Sequence, residues 1–314
     1  MNIIFFGSCE FSVPSLKSIL AAGYKVSCVV TQPDRPKGRH LRIEGTAVKE
    51  TATALGLKVY QPEKINTPEA VKFLKDLKPD LFVVIAYGQI LSGQILDIPR
   101  IFALNSHASL LPSLRGAAPI NWAIIKGARN TGVTIIKMTE QMDAGPIISS
   151  SEACVDSDDT AIELTVKLQD ISARLIVDTL RQINGNNYKL VEQDGVVYYA
   201  PKLKKEDGLI NWKLKTEDIY NLVRGCLPWP VAYTYYQGKI LKVYKASIPP
   251  ESQELSKPIQ PGMIKEINPS AVRIACANGI LEIRELQLEG TTKMSAAEFV
   301  RGHKIRAGEI LGKI

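Results

Sequence analysis

The sequence predicts a Rossmann-like, doubly wound parallel α/β sheet followed by a second, smaller OB-like β-barrel domain. Three observations carry this. Residues 2–184 alternate short apolar runs with segments of helical spacing, residues 208–314 are dominated by short strand-type runs, and a turn-rich, lysine-bearing stretch separates them. The length of 314 residues favours two cores over one, and 45% apolar with 23% charged residues is ordinary for a globular protein.

In order along the chain, the apolar run Asn2 to Phe6 ends at Gly7 and is followed by helical spacing from Pro14 to Ala22 and a strand from Lys25 to Thr31, a βαβ opening. A helix from Thr46 to Leu55, a short strand from Lys58 to Tyr60 and a helix from Thr67 to Leu77 come next. The fully apolar run Leu81 to Ala86 then implies a parallel sheet covered on both faces. Strands are expected at Phe102 to Asn105 and Gly132 to Met138, with helices at Pro119 to Lys126 and Thr160 to Asn184. Past residues 185–208, a helix from Thr216 to Arg224 precedes five strand-type runs: Ala232 to Tyr236, Lys239 to Ser247, Gly262 to Asn268, Ala271 to Ala275 and Ile280 to Leu288. The expected domains are residues 1–188 and 208–314, joined by a linker at 189–207.

No apolar run approaches the roughly 18 residues that span a bilayer, and the amino terminus enters a strand pattern without a basic leader region. A cytoplasmic protein with no membrane association is expected. Cys9, Cys28, Cys154, Cys226 and Cys276 are spread singly, which suggests neither a disulfide framework nor a metal site. A net charge of +7 favours an anionic partner. Four cations, Arg35, Lys37, Arg39 and Arg42, fall within eight residues that show neither helical nor strand period.

The strand ending in Gly7 invites a dinucleotide reading, which fails because Ser8, Cys9, Glu10 and Phe11 follow and the further glycines are missing. The ligand site of a doubly wound sheet lies outside the carboxyl ends of its strands. There the chain reads Asn105-Ser106-His107-Ala108-Ser109-Leu110-Leu111-Pro112, with residues 105 and 107 on one face if the strand continues. An amide that donates to an oxyanion and an imidazole that exchanges a proton are two parts of an acyl-transfer site. Asp143, in the turn Gln141-Met142-Asp143-Ala144-Gly145, would join them at the same sheet edge if its strand runs parallel to the first. Turn capping explains the same residues equally well, so both readings stay open on chemistry alone.

In order and context, Asn105, His107 and Asp143 with Ser109 to Pro112 match the Asn-His-Asp set of the folate-dependent formyltransferase family. Thr31-Gln32-Pro33-Asp34-Arg35-Pro36, Ala86-Tyr87-Gly88, Arg115-Gly116-Ala117-Ala118-Pro119-Ile120 and Thr131-Gly132-Val133-Thr134 resemble its methionyl-tRNA-directed branch, as do Asn211-Trp212 and Pro228-Trp229-Pro230 near the carboxyl end. The resemblance implies a Rossmann-like catalytic domain in which Asn105, His107 and Asp143 are catalytic. It implies 10-formyltetrahydrofolate as co-substrate, held against Ser109, Leu110, Leu111 and Pro112, with its pterin reaching Ile85, Tyr87, Gly88, Ile90 and the Asp143 turn, and no metal. The acceptor it implies is the methionine amine of initiator methionyl-tRNA, gripped by Arg35, Lys37, Arg39 and Arg42. A second basic face is expected from Lys239, Lys242, Lys245, Lys293, Arg301, Lys304 and Arg306 on the OB-like domain, in a monomer.

The chain departs from the family pattern at His40-Leu41-Arg42, at Gly45-Thr46-Ala47, and at Ser106 and Ala108, where valine and glycine are common. A formyltransferase acting on a small amine such as an amino sugar nucleotide, or a formyltetrahydrofolate hydrolase, would share Asn105, His107 and Asp143. A non-catalytic RNA-binding protein would share the basic surfaces but bind no folate.

Overall fold

The computed structural model describes residues 1–37, 42–250, 259–303 and 305–312, with only the backbone of Lys37 and Arg42. In chain order the elements of its first part are β1 (Asn2–Gly7), α1 (Val13–Ala21), β2 (Lys25–Val30), β3 (Arg35–Lys37), β4 (Arg42–Glu44), α2 (Ala47–Ala54), β5 (Val59–Tyr60), α3 (Pro68–Asp76), β6 (Leu81–Ile85), α4 (Gly93–Leu96), β7 (Phe102–His107), α5 (Pro119–Ile125), β8 (Asn130–Lys137), β9 (Ile147–Cys154) and α6 (Ala161–Asn184). They are followed by α7 (Thr216–Gly225), β10 (Ala232–Tyr236), β11 (Lys239–Ser247), β12 (Ile264–Asn268), β13 (Ala271–Ala275), β14 (Ile280–Leu288), β15 (Met294–Ser295) and α8 (Ala296–His303).

Seven strands form the first sheet in the order β5-β2-β1-β6-β7-β8-β9. Apolar β1 and β6 lie at its centre, and all five residues of β6 are buried, as a strand covered on both faces requires. Pairing is parallel from β5 to β7, but β8 runs antiparallel to β7 and β9 antiparallel to β8. The expectation of a parallel sheet is therefore corrected on this side. His107, the last residue of β7, faces Thr134 in the middle of β8, and β8 begins beyond that end of β7, so the 108–129 connection re-enters the sheet at the end it left. A parallel pair would need a crossover back to the other end. The sequence does not predict the edge strand β9, because Ser149, Ser150, Ser151 and Glu152 give it no apolar period, and none of its residues is fully buried.

Helix formation in this part follows local chemistry. Thr46 and Thr67 cap α2 and α3, each accepting from the backbone three residues on, and Pro68 occupies the first turn of α3. On α6, Leu168, Ile176 and Leu180 recur at four-residue spacing and are buried, with Ser172 in the same stripe. The core on one sheet face includes Ile4, Phe6, Val30, Leu74, Phe82, Tyr87 and Ile95.

β3 and β4 pair with each other in a separate two-stranded sheet, and strands β10 to β15 form one antiparallel sheet, β10-β11-β14-β13-β12, with β15 added on β14. Ile219 and Val223 of α7 and Phe299 of α8 share a core with Leu241, Val243, Ile274 and Leu281. Trp212 is buried there and donates from its indole nitrogen to Thr234 Oγ1 at 3.0 Å.

The chain divides into two compact units: Met1–Pro119, Asn130–Cys154 and Thr165–Ala200 form one, and Ile120–Arg129, Val155–Leu164 and Pro201–Ile314 the other. It thus enters the second unit twice before Pro201. Asn121 donates to Gly225 O at 2.8 Å, Trp122 Nε1 to Pro201 O at 2.8 Å, and Tyr220 to Asp158 at 2.9 Å, which ties those two short segments to α7 and its surroundings. Among the described residues no helix is long and apolar enough to cross a membrane.

Candidate active site

β7 ends in Asn105-Ser106-His107, and strand alternation turns Ala103, Asn105 and His107 to one face and Ser106 to the other. Ser106 is buried and hydrogen-bonds Ser172 of α6 at 2.7 Å. On the opposite face, Asn105 Nδ2 donates to Asp143 Oδ1 at 3.4 Å, and His107 Nδ1 stands 3.6 Å from Asp143 Oδ2. The three side chains thus converge. Asp143 does not get there through a parallel strand, as the sequence expected. β8 carries the chain away from His107, and residues 138–146, which join β8 to β9, bring it back over the face that Asn105 occupies.

Two backbone groups complete the arrangement. Gly116 N donates to Asp143 Oδ2 at 2.9 Å. Gly116 has φ +123°, and a Cβ there would stand 2.6 Å from Ala200 O, so the close approach depends on glycine. His107 Nε2 lies 2.9 Å from Leu114 O. A carbonyl only accepts, so Nε2 carries a hydrogen, and a neutral ring would then turn a bare Nδ1 toward the carboxylate. The His107 side chain is 6% exposed and that of Asp143 13%, so the pair is largely shielded from water.

Near the amino-terminal end of β7 lies a cavity of about 380 Å³, lined by Leu96, Asp97, Ala103, Lys137, Met138 and Glu140 among others; Asn105, His107 and Asp143 do not line it.

The other expected site residues divide into framework and surface. Ser109 is fully buried and donates to Ser113 O at 2.6 Å, closing the turn that follows β7. Thr134 Oγ1 donates to Ser109 O and accepts from Leu111 N, pinning the same turn to β8. Leu111 is buried, Leu110 packs against Gly132 of β8, and Pro112 lies 3.7 Å from the position a Cβ on Gly195 would take. Ile85 and Tyr87 are buried in the core, where burial pushes the Tyr87 phenol well above its usual range. Gly88 turns at φ +93° beside Gln32, and Ile90 is exposed.

Arg35 lies on β3 and pairs with Glu63 at the surface. β3 and β4 form a hairpin in which Lys37 is opposite Arg42, a structure that the lack of period in this segment did not predict. Arg39, the side chains of Lys37 and Arg42, and Lys304 lie outside the described residues. Of the expected basic face in the second unit, Lys239, Lys245, Arg301 and Arg306 are exposed, Lys242 is half-buried, and Lys293 pairs with Glu285 at 2.6 Å.

Sequence reasoning missed four participants: the Leu114 carbonyl, the Gly116 amide, Arg115 and Gln193. Backbone groups leave no side-chain signature. Gln193 is separated by 50 residues from the aspartate whose carbonyl it holds, so no local pattern links them.

The chain matches the Formyl transferase family over residues 1–180 and the Formyl transferase, C-terminal domain family over residues 202–304. It is 41% identical to the methionyl-tRNA formyltransferase of Acetivibrio thermocellus, covering 100% of both chains, and 42% identical to that of Geobacter metallireducens, covering 99% of each. In fold it is similar to the N-formyltransferase from Helicobacter canadensis solved with folinic acid and dTDP-3-aminofucose (TM-score 0.68, 19% identity, 90% of this chain and 98% of that one). HypX from Aquifex aeolicus in complex with tetrahydrofolic acid is also similar (TM-score 0.63, 18% identity, 96% of this chain and 48% of that one).

Proposed function

This chain belongs to the formyl transferase family, and from that premise we propose that it transfers the formyl group of 10-formyltetrahydrofolate to the methionine amine of initiator methionyl-tRNA. The observation that carries the chemistry is the convergence of Asn105, His107, Asp143 and the Gly116 amide at one end of β7. Relatives at 41% and 42% identity over essentially the whole chain support the acceptor.

The folate is assigned to Ser109, Leu110, Leu111 and Pro112, which directly follow β7, and to Ile85, Tyr87, Gly88 and Ile90 at and after the end of β6. Bound there, 10-formyltetrahydrofolate would supply the formyl carbon; as the new C–N bond to the acceptor forms, the bond from the formyl carbon to N10 would break, and N10 would leave on tetrahydrofolate with the proton that the acceptor amine gives up. The chain's own groups do the rest. Negative charge grows on the formyl oxygen as the acceptor amine adds, and Asn105 Nδ2 and the protonated His107 Nδ1 are the donors that meet it. Both are pre-set: the 3.4 Å bond from Asn105 to Asp143 is longer than ordinary and readily exchanged, while Leu114 O fixes the imidazole ring. Asp143, aimed by Gly116 N, balances the imidazolium charge and accepts the proton lost by the amine, directly or through one water.

The chemistry is assigned to residues 1–188, the tRNA grip to Arg35, Lys37, Arg39, Arg42 and the basic face of residues 208–314, and the joining role to 189–207. A cytoplasmic monomer fits this reading.

The test is formyl transfer from 10-formyltetrahydrofolate to initiator methionyl-tRNA, with an amino sugar nucleotide as competing acceptor. Asn105→Ala, His107→Ala and Asp143→Ala are each expected to lower kcat by about 100-fold or more while circular dichroism stays native. Transfer to the sugar alone would keep the chemistry and overturn the acceptor. A folded variant with near-normal turnover would remove its residue from the mechanism, and a wild-type chain that binds RNA but no folate would be a binding module.

A further inference from the structure

We infer that Gln193 and Arg115 form a clamp that positions Asp143, so that a residue in the segment joining the two family regions controls the geometry of the reacting centre. The inference rests on the catalytic reading of Asp143 given above.

All four hydrogen-bonding positions of the Gln193 amide are used. Its Nε2 donates to Asp143 O and to Gly145 O, both at 2.8 Å. Its Oε1 accepts from Arg115 Nε at 3.1 Å and Arg115 Nη2 at 2.7 Å. One side chain therefore joins the turn that carries Asp143 to the residue preceding Gly116, whose amide aims the Asp143 carboxylate. The same two segments meet again through the backbone: Arg115 N donates to Tyr198 O, and Ala200 N donates to Arg115 O. Among residues 189–196, where Leu190, Val191 and Val196 point outward, Gln193 is drawn inward. The strap is held through its backbone where Val191 pairs with Ile147, at 2.7 and 2.9 Å, and Gln193 adds a side-chain hold directed at the Asp143 turn.

The turn needs such a hold. Asp143 adopts φ +51°, a left-handed conformation uncommon for a residue other than glycine, while Gln141 and Met142 beside it are exposed. Gly145 cannot shift toward β8, because a Cβ there would already collide with Lys137 O. Gln193 ties the same turn through the carbonyls of Asp143 and Gly145. The consequence falls on Asp143 Oδ2, which stands 3.6 Å from His107 Nδ1 and loses its alignment if the turn relaxes by about an ångström, a displacement of the size that costs about 100-fold in rate.

Gln193→Ala removes all four bonds. Gln193→Glu keeps the size and the Arg115 pairing but sets a carboxylate oxygen against two carbonyls. Both variants are expected to lower kcat by about 10- to 100-fold, with KM for folate and tRNA changed less than about threefold. In an Asp143→Asn background, where the carboxylate is already gone, adding Gln193→Ala should cost less than about twofold. A merely structural role would cost the same in both backgrounds. Amide exchange across residues 141–146 reads the clamp with no substrate present and should rise at least about tenfold in Gln193→Ala. Unchanged exchange, or full kcat in either variant, would overturn the clamp. A wild-type chain that fails to transfer formyl while Gln193→Ala still loosens the turn would sink the catalytic reading instead and leave the clamp standing.

Discussion

Ser106 stands where valine is common in the family, and the structure supplies its partner. Its hydroxyl hydrogen-bonds Ser172 Oγ at 2.7 Å, and Ser172 Oγ lies 3.2 Å from Ser15 Oγ, all three groups being buried. The sequence held all three serines, but they are distant along the chain and share no motif. Ser172→Ala would strand two hydroxyls away from water, a loss of about 1–3 kcal/mol. The expected result is a lower denaturant midpoint with kcat unchanged, because Ser106 points away from Asn105 and His107. A loss below about 0.5 kcal/mol in the same unfolding measurement would mean that the three hydroxyls contribute little beyond an ordinary surface substitution.

At the scale of elements, the two ends of the basic segment pair as antiparallel strands, β3 and β4. Lys37 stands opposite Arg42, like charges at opposed register positions that repel in isolation and that an anion between them relieves, whereas Arg35 stands opposite Glu44, an opposite-charge pair. Beyond the hairpin, Gly45-Thr46-Ala47 departs from the family, and the structure makes Thr46 the cap of α2, accepting from Lys49 N at 3.0 Å and bonded to Thr31 at 2.6 Å. The hairpin is thereby anchored close to the end of β2. Replacing Lys37 and Arg42 together by Ala is expected to raise KM for tRNA about tenfold and to flatten the slope of log affinity against log salt by about 1 to 2, with kcat within about twofold. A salt titration that gives the wild-type slope would take the hairpin out of RNA binding.

For the molecule as a whole, both cores shelter thiols. Burial pushes Cys28 and Cys276 up to about 11 and Cys226 up to about 12, while Cys9 and Cys154 are exposed. Only the thiolate attacks, so at pH 8 a thiol of pKa about 11 offers roughly a thousandth of itself as nucleophile, behind a closed surface. A thiol reagent at pH 8 should therefore modify two groups in the native protein and five in denaturant. A third group reacting at the rate of the first two would show that one of the cores opens readily.

The sequence alone determined what depends on near neighbours. Apolar period placed β1, β2, β6 and β7 and helices α1, α2 and α3, because a strand or helix declares its buried face within a few residues. Around Asn105 and His107 strand alternation placed two polar groups on one face, which left a turn cap and an acyl-transfer site both open until the family resemblance was added. Tertiary structure decided what depends on chain closure: that β8 turns back against β7, that the Asp143 turn folds over Asn105, and that segments 120–129 and 155–164 join the second compact unit. It also decided that Gln193 reaches Asp143. These outcomes rest on hydrogen bonds between residues tens of positions apart, whose formation depends on the packing of everything between them. The residue types at the site can be read in order along the chain, but their alignment exists only after the sheet has closed around them.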